Sequence, residues 1–113
     1  GRTGLEVDLD APVALPDLPA AVEVAAYRIV QEALTNAARH SGAGTVKVNV
    51  DLECDGALIV AIKDDGGGLP DRISPGVGLT SMRERAEDIG GSLTISSDPS
   101  GTWVRAVLPA QAL

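Results

Sequence analysis

The chain has 113 residues, a formal net charge of −7 at pH 7 and a single cysteine, Cys54. This length allows one domain with one hydrophobic core, and a lone cysteine excludes an internal disulfide or a cysteine-based zinc site. The acidic balance, with no run of Lys or Arg, excludes a general basic face for nucleic acid.

The first third of the chain predicts a strand followed by a helix. Residues 5–9 alternate apolar and acidic side chains, which predicts a short edge strand. Prolines then enforce an extended connection, with Asp17 as the predicted N-cap and Pro19 in the first turn of the helix. Residues 20–41 have a helical pattern, ended by Gly42. Its apolar stripe consists of Val22, Ala26, Ile29, Val30, Ala33 and Ala37.

The rest of the chain predicts two hairpins separated by a loop and a helix. Residues 46–52 alternate, and residues 57–64 are a nearly continuous apolar run typical of a central strand. Residues 66–78 are irregular and rich in glycine. A helical pattern then begins at Leu79 and ends at Gly90-Gly91. The last two strands are predicted at about residues 92–97 and 102–108.

These elements define the expected architecture. Helices on one side of a mainly antiparallel sheet form an α+β two-layer sandwich. We expect residues 1–113 to form a single domain, in which residues 66–78 are a glycine-rich loop and a short lid. Because no segment has the length of a membrane span and the start lacks a signal-peptide pattern, we expect a cytoplasmic domain of a membrane-anchored or soluble parent.

The first helix has polar residues beside its apolar stripe. Glu32, Asn36 and Arg39 follow one edge of that stripe, an arrangement that predicts the wall of a pocket. The alternative is a solvated edge, with Glu32 and Arg39 in an ordinary surface ion pair. His40 projects from the last turn, toward either the pocket or the core.

Two inward-facing polar residues lie at strand ends. Asp64 shares a face with Val60 and Ile62, whereas Lys63 points the other way. A buried carboxylate needs partners, and a ligand with an amino group would supply them. Thr102 is predicted to face inward at the start of the last strand. The two side chains enter one cavity if their strands are neighbours.

The glycines before the second helix are a candidate anion site. Gly76-Val77-Gly78 leads into the helix that begins at Leu79, where free N–H groups and the helix dipole favour an anion. The same pattern also occurs in ordinary turns. The chain has no P-loop motif, and Asn36 offers an amide oxygen to Mg²⁺, which takes few protein ligands.

Four segments, in order, resemble the motifs of the catalytic and ATP-binding domain of bacterial sensor histidine kinases, which has the Bergerat fold. Residues 31–41 are similar to the N box, and residues 64–68 to the D-x-G-x-G box. Residues 76–91 resemble the second glycine box with its helix, and Gly101-Thr102 the last element shared with gyrase and MutL. The Arg-His end of the N box, the short lid and the lack of Phe resemble the subfamily that signals to response regulators with LuxR-type helix-turn-helix domains.

The resemblance implies binding of ATP and Mg²⁺ and transfer of the γ-phosphoryl group to a histidine on a separate dimerisation domain. Asp64 would accept a hydrogen bond from the adenine amino group, assisted by Thr102. Asn36 would coordinate Mg²⁺, and Arg39 and His40 would lie near the phosphates. The residues implied to shape the pocket and the lid are Gly66, Gly68, Gly76, Val77, Gly78 and Leu79.

Other implications concern the reaction and the partners. Glu32 occupies the position of the acid that assists nucleophile activation in related ATPases. His40 is the only histidine and belongs to the N box, so the chain is expected to bind ATP without phosphorylating itself. The implied partners are its own dimerisation domain, a response regulator and, in the parent protein, a second copy; no direct contact with nucleic acid is expected.

Two residues depart from the family pattern. Asp65 stands where many members have Asn, and its charge is expected to weaken nucleotide affinity. Gly67 makes the D-x-G-x-G box looser than usual. One alternative is therefore a degenerate domain that only contacts partners. Another is an anti-sigma-factor serine kinase or a different regulatory ATPase of the same fold.

Overall fold

The computed structural model describes residues 6–10, 18–38, 44–53, 55–66 and 79–109. Within these ranges the chain forms five strands and two helices, in the predicted order. They are β1 (Glu6–Asp10), α1 (Ala20–Asn36), β2 (Thr45–Leu52), β3 (Ala57–Asp64), α2 (Leu79–Asp88), β4 (Ser92–Asp98) and β5 (Gly101–Pro109).

The strands form one mixed sheet in the order β1-β2-β3-β5-β4. β1 pairs with β2 in parallel, and the other three pairings are antiparallel. This confirms the predicted mainly antiparallel sheet, with β3 at its centre. β1 is an edge strand, as its alternating sequence predicted, and all of its residues are exposed.

Both helices pack on one face of the sheet, which confirms the two-layer α+β architecture. The core between the layers is aliphatic, apart from Met82, because the chain has no Phe. Every second residue of the inner strands points into this core, as a period of two requires. The buried strand residues are Val46, Val48, Leu58, Val60, Ile62, Leu93, Val104, Ala106 and Leu108.

α1 begins at Ala20, as its helical pattern predicted, but its N-cap differs from the predicted one. Pro19 is the N-cap, with φ −54° and ψ 141°, and no side chain caps the helix. The Pro19 carbonyl oxygen accepts hydrogen bonds from the amides of Val22 and Glu23. The prediction of Pro19 in the first turn is therefore wrong, and the predicted cap Asp17 lies outside the described residues. Neither α1 nor α2 is long and apolar enough to cross a membrane.

α2 ends at the predicted glycine pair. Gly90 has φ +82° and donates to the Glu87 carbonyl at 3.0 Å, while the Gly91 amide donates to the Ala86 carbonyl at 2.8 Å. This is the Schellman arrangement, which favours glycine at the left-handed position. A Cβ at Gly91 would overlap the Val107 carbonyl oxygen. The second glycine therefore lets β5 run against the end of α2.

Candidate functional site

The pairing of β3 with β5 brings two buried polar residues together. Asp64 and Thr102 are direct partners in the antiparallel register, at the end of β3 and the start of β5. Their exposed fractions are only 7% and 6%. The sequence predicted that both face inward and that they enter one cavity if their strands are neighbours, and the register meets that condition.

The Asp64 carboxylate is held by backbone groups through one of its oxygens. Oδ1 accepts hydrogen bonds from the amide of Gly66 at 3.0 Å and from the amide of Thr102 at 3.3 Å. No group in the described part of the chain donates to Oδ2. Oδ2 of this largely buried carboxylate is therefore the atom that is open to a ligand donor.

Gly101 permits the close approach of these two strand ends. Its φ is +149°, in the region that side chains disfavour, and a Cβ there would overlap the Asp64 carbonyl oxygen. Only glycine therefore fits between Asp64 and the start of β5. Sequence reasoning singled out Gly101 as part of a motif but did not identify this steric role.

Thr102 has a hydroxyl partner that the sequence did not reveal. Its Oγ1 lies 3.3 Å from Oγ of Ser97, its register partner on β4. Either hydroxyl can be the donor, so the Thr102 hydroxyl can donate to or accept from a ligand or water. Only the register of the β4–β5 hairpin could have identified Ser97, because nothing in its local sequence distinguishes it.

Asn36 lies deeper than its sequence position predicted. It is 8% exposed, and its Nδ2 atom is buried without a hydrogen-bond partner. The predicted edge of the apolar stripe is therefore part of the buried face of α1, which also includes Ala33 and Ala37. Burying an amide group without a hydrogen-bond partner costs about 1–3 kcal/mol. The end of the Asn36 side chain is therefore a candidate for binding a ligand.

The remaining predicted site residues are described only in part. Glu32 is half-buried one turn before Asn36 on α1, so the two side chains are neighbours on the helix surface. Gly66 is buried beside Asp64, and the backbone of Leu79 begins α2. Outside the described residues lie Arg39, His40, Gly68, Gly76, Val77 and Gly78.

Asp65 has a structural role at the start of β2. Its Oδ1 accepts hydrogen bonds at 2.9 Å from the amides of Gly44 and Thr45. The bonds from Thr45 and Gly44 lower the pKa of the Asp65 carboxyl. The carboxylate thus anchors the chain before β2, a role that the sequence did not indicate.

The sequence matches a known family over most of its length. Residues 21–112 match the family described as histidine kinase-, DNA gyrase B- and HSP90-like ATPases. The chain belongs to this family. Asp64 at the end of β3, Thr102 at the start of β5 and Asn36 on α1 are the buried polar residues in the described part of the chain.

Relatives with curated names are sensor histidine kinases. The chain is 43% identical over 110 residues to the sensor histidine kinase YxjM of Bacillus subtilis (strain 168), a match that covers 96% of this chain and 27% of the relative. It is 37% identical over 102 residues to the nitrate/nitrite sensor protein NarQ of Escherichia coli (strain K12), covering 88% of this chain and 18% of NarQ. The chain thus spans about a quarter or less of these relatives.

Solved histidine kinase structures share the fold of this ATPase domain. The blue-light activated histidine kinase of Erythrobacter litoralis EL346 superposes with a TM-score of 0.78 at 27% identity, covering 97% of this chain and 36% of that one. Its separate histidine kinase domain gives a TM-score of 0.83 at 24% identity, covering 97% of this chain and 54% of that domain. These similarities confirm the fold that the sequence motifs predicted.

Proposed function

We propose that this chain is the ATP-binding half of a sensor histidine kinase, which binds Mg-ATP and offers its γ-phosphoryl group to a histidine on a separate dimerisation domain. The main support is the Asp64 carboxylate, buried opposite Thr102 with one oxygen fixed by two amides and the other without a donor in the described part of the chain. Membership of the ATPase family and the names of the relatives support the same proposal.

Asp64 is proposed to recognise adenine. Its Oδ2 atom is positioned to accept a hydrogen bond from the exocyclic amino group, with the Thr102 hydroxyl contributing a second polar contact, directly or through water. Guanine has a carbonyl oxygen at the equivalent ring position, which would face the carboxylate oxygen with no proton between them. Two acceptors buried together without a donor are unfavourable, so the site should prefer adenine.

Asn36 is the proposed protein ligand for Mg²⁺. Its buried amide has an end without a protein partner, and rotation about the terminal bond presents either oxygen or nitrogen there. A single amide oxygen suits Mg²⁺, which takes most of its ligands from water and phosphates. Bound Mg²⁺ would neutralise negative charge on the phosphates. Glu32, one turn earlier on α1, is proposed to help orient the reacting groups, and Arg39 and His40 to lie near the phosphates.

The proposed reaction needs a partner that provides the acceptor. The γ-phosphorus to oxygen bond breaks, ADP leaves, and a bond forms between phosphorus and an imidazole nitrogen of the dimerisation domain. We propose a homodimeric parent, a cytoplasmic location for this domain, and a response regulator with a helix-turn-helix output domain as the next acceptor. NarQ and the signal transduction histidine-protein kinase/phosphatase UhpB of Salmonella typhimurium (strain LT2) are relatives compatible with such signalling.

Titration with a fluorescent ATP analogue, with and without Mg²⁺, tests the binding step. We expect saturable, Mg²⁺-dependent binding that unlabelled ATP displaces. Absence of saturable binding would indicate a degenerate domain instead. The transfer step is tested with γ-labelled ATP, the chain and the dimerisation domain of its parent. We expect label on the dimerisation domain only, and label on serine would favour the serine kinase alternative.

A further inference from the structure

On the outer face of the sheet, which the helices do not cover, three cations lie close together and acidic residues border them. Lys47 on β2, Lys63 on β3 and Arg105 on β5 are exposed on this face, and they include both lysines of the chain. Trp103, the only tryptophan, lies among them and is half-buried. We call this group of four residues the cationic face.

Two of these cations lie side by side on neighbouring strands. Lys47 and Lys63 are direct partners across the antiparallel β2–β3 pair, and like charges in such positions are destabilising. Nζ of Lys63 lies 4.8 Å from the centroid of the Trp103 ring, which is a cation–π contact. The ring thus holds one ammonium group in place beside a second lysine. Asp8, in register with Lys47, and Asp98, near Lys63, offset part of the repulsion, and an acidic ligand would offset more of it.

A groove on the cationic face could receive such a ligand. Its volume is about 410 Å³. Its polar lining consists mostly of hydrogen-bond donors that suit carboxylate oxygens, and the indole adds an apolar surface. The side chains that provide these groups are Asn49, Lys63, Thr94, Ser96, Trp103 and Arg105.

We propose that the cationic face binds an acidic segment of a partner protein, with carboxylates on Lys47, Lys63 and Arg105 and an apolar side chain on Trp103. Charge complementarity is the argument for this partner, and a Trp beside Arg is the composition typical of interface hot spots. Lys63 and Asp64 are consecutive but point to opposite faces, so this surface is separate from the proposed nucleotide site.

The same face disfavours two other occupants. Glu6, Asp8 and Asp10 of β1 share the outer face, with Asp8 in register with Lys47, so acids border the patch. A nucleic acid needs many phosphate contacts and would meet these acids, whereas a short acidic segment would not. A second copy stacked with its two-fold axis through this group of residues would set cations against the same cations of the other copy.

Fluorescence of Trp103 is a direct test, because no other tryptophan contributes to the signal. An oligo-glutamate peptide is titrated into the chain, with oligo-lysine and oligothymidylate as comparison ligands. We expect a saturable change with oligo-glutamate, which weakens as salt rises because exposed charges are screened. We expect no saturable change with oligo-lysine, and weaker binding of oligothymidylate.

Two matched arginine variants locate the site. Arg105→Gln on the cationic face should weaken oligo-glutamate binding about 2- to 5-fold, whereas Arg28→Gln, exposed on α1, should leave it unchanged. The double variant Lys47→Gln/Arg105→Gln should weaken it about tenfold. Circular dichroism and binding of the fluorescent ATP analogue should be unchanged in all three, which separates this proposal from the nucleotide site.

Three results would overturn the proposal. One is the absence of a saturable Trp103 response to oligo-glutamate in the unmutated chain. Another is an equal loss of binding in Arg28→Gln and Arg105→Gln, which would show a response to net charge alone. The third is binding of oligothymidylate as tight as that of oligo-glutamate, which would indicate a nucleic acid partner.

Discussion

The polar residues at the adjoining ends of β3 and β5 are buried on the inner face of the sheet and accessible on the outer face. On the inner face, Asp64 and Thr102 are buried, and the Thr102 amide donates a hydrogen bond to the Asp64 carboxylate. On the outer face, the preceding pair in the register, Lys63 and Trp103, is held by one side-chain contact and remains accessible. The inner polar groups are therefore positioned by the geometry of the backbone, whereas the outer groups are positioned by charge. Variants should therefore affect the two faces very differently.

The largest effect is expected at Gly101. Gly101→Ala forces a Cβ into the Asp64 carbonyl at a positive φ, and such strain costs roughly 1–3 kcal/mol before any steric overlap is counted. We expect a lower free energy of unfolding by chemical denaturation and loss of nucleotide binding. Gly44→Ala is the control, since a Cβ there has nothing within 4 Å. Equal stability of the two variants would contradict the steric account.

The next effect concerns the Asp64 side chain. Asp64→Asn keeps an oxygen for the Gly66 and Thr102 amides but replaces the acceptor proposed for the adenine amino group by an NH2 group, which is a donor. We expect a loss of about 1–3 kcal/mol in binding, which is about 5- to 150-fold in ATP affinity by calorimetry. Asp65→Asn should change affinity less than twofold, about 0.4 kcal/mol. Comparable losses in both would mean that Asp65 also faces the nucleotide.

Asn36→Ala tests the proposed metal ligand. We expect the Mg²⁺ dependence of nucleotide binding to be lost, because the variant has no amide oxygen, while circular dichroism stays unchanged. The unfolding free energy should change little, since removal of a buried amide without a partner offsets part of the lost packing. Thr35→Ala, at the preceding position of α1, is the control. A preserved Mg²⁺ dependence in Asn36→Ala would exclude Asn36 as the ligand.

Asp65 should affect the pH dependence of stability rather than the function of the protein. Its pKa in the folded protein lies below the value of about 3.9 expected when unfolded. The carboxylate therefore contributes stability above that unfolded pKa, and this contribution is lost as the pH falls through the lowered folded pKa. In acid unfolding titrations, the stability difference between the unmutated chain and Asp65→Ala should shrink below about pH 4. A constant difference would contradict this role.

The smallest effect is expected on the outer face. Lys63→Gln removes an exposed cation–π contact worth about 0.5–1 kcal/mol and also relieves the repulsion with Lys47. The two changes oppose each other, so the free energy of unfolding should shift by less than about 1 kcal/mol. Nucleotide affinity should not change. A large loss of nucleotide affinity would show that the two faces are coupled.

Local sequence patterns predicted the elements and much of the site, but not the contacts between distant segments. The two-residue period of β3 placed Asp64 inward and Lys63 outward, as the structure has them. The roles of Gly101 and Ser97 depend on the register that joins β5 to β3 and β4. Asn36 was predicted at the edge of a stripe because helical periodicity does not show how the sheet packs against it.

The anchoring role of Asp65 could not be predicted for the same reason, because it depends on contacts between distant segments. Its hydrogen bonds reach Gly44 and Thr45, about twenty residues earlier in the chain. A charged residue beside a glycine-rich loop therefore looked like part of the pocket, although its carboxylate holds the start of β2. Spatial neighbours that are far apart in sequence leave no trace in local periodicity, which is why this assignment needed the structure.

The most direct test of the central claim is a comparison of ATP and GTP binding to the unmutated chain by competition with the fluorescent ATP analogue. The free acceptor at Oδ2 of Asp64 predicts that ATP competes at least about fivefold better, the lower end expected for one buried hydrogen bond. Equal competition by the two nucleotides would show that Asp64 does not recognise the base.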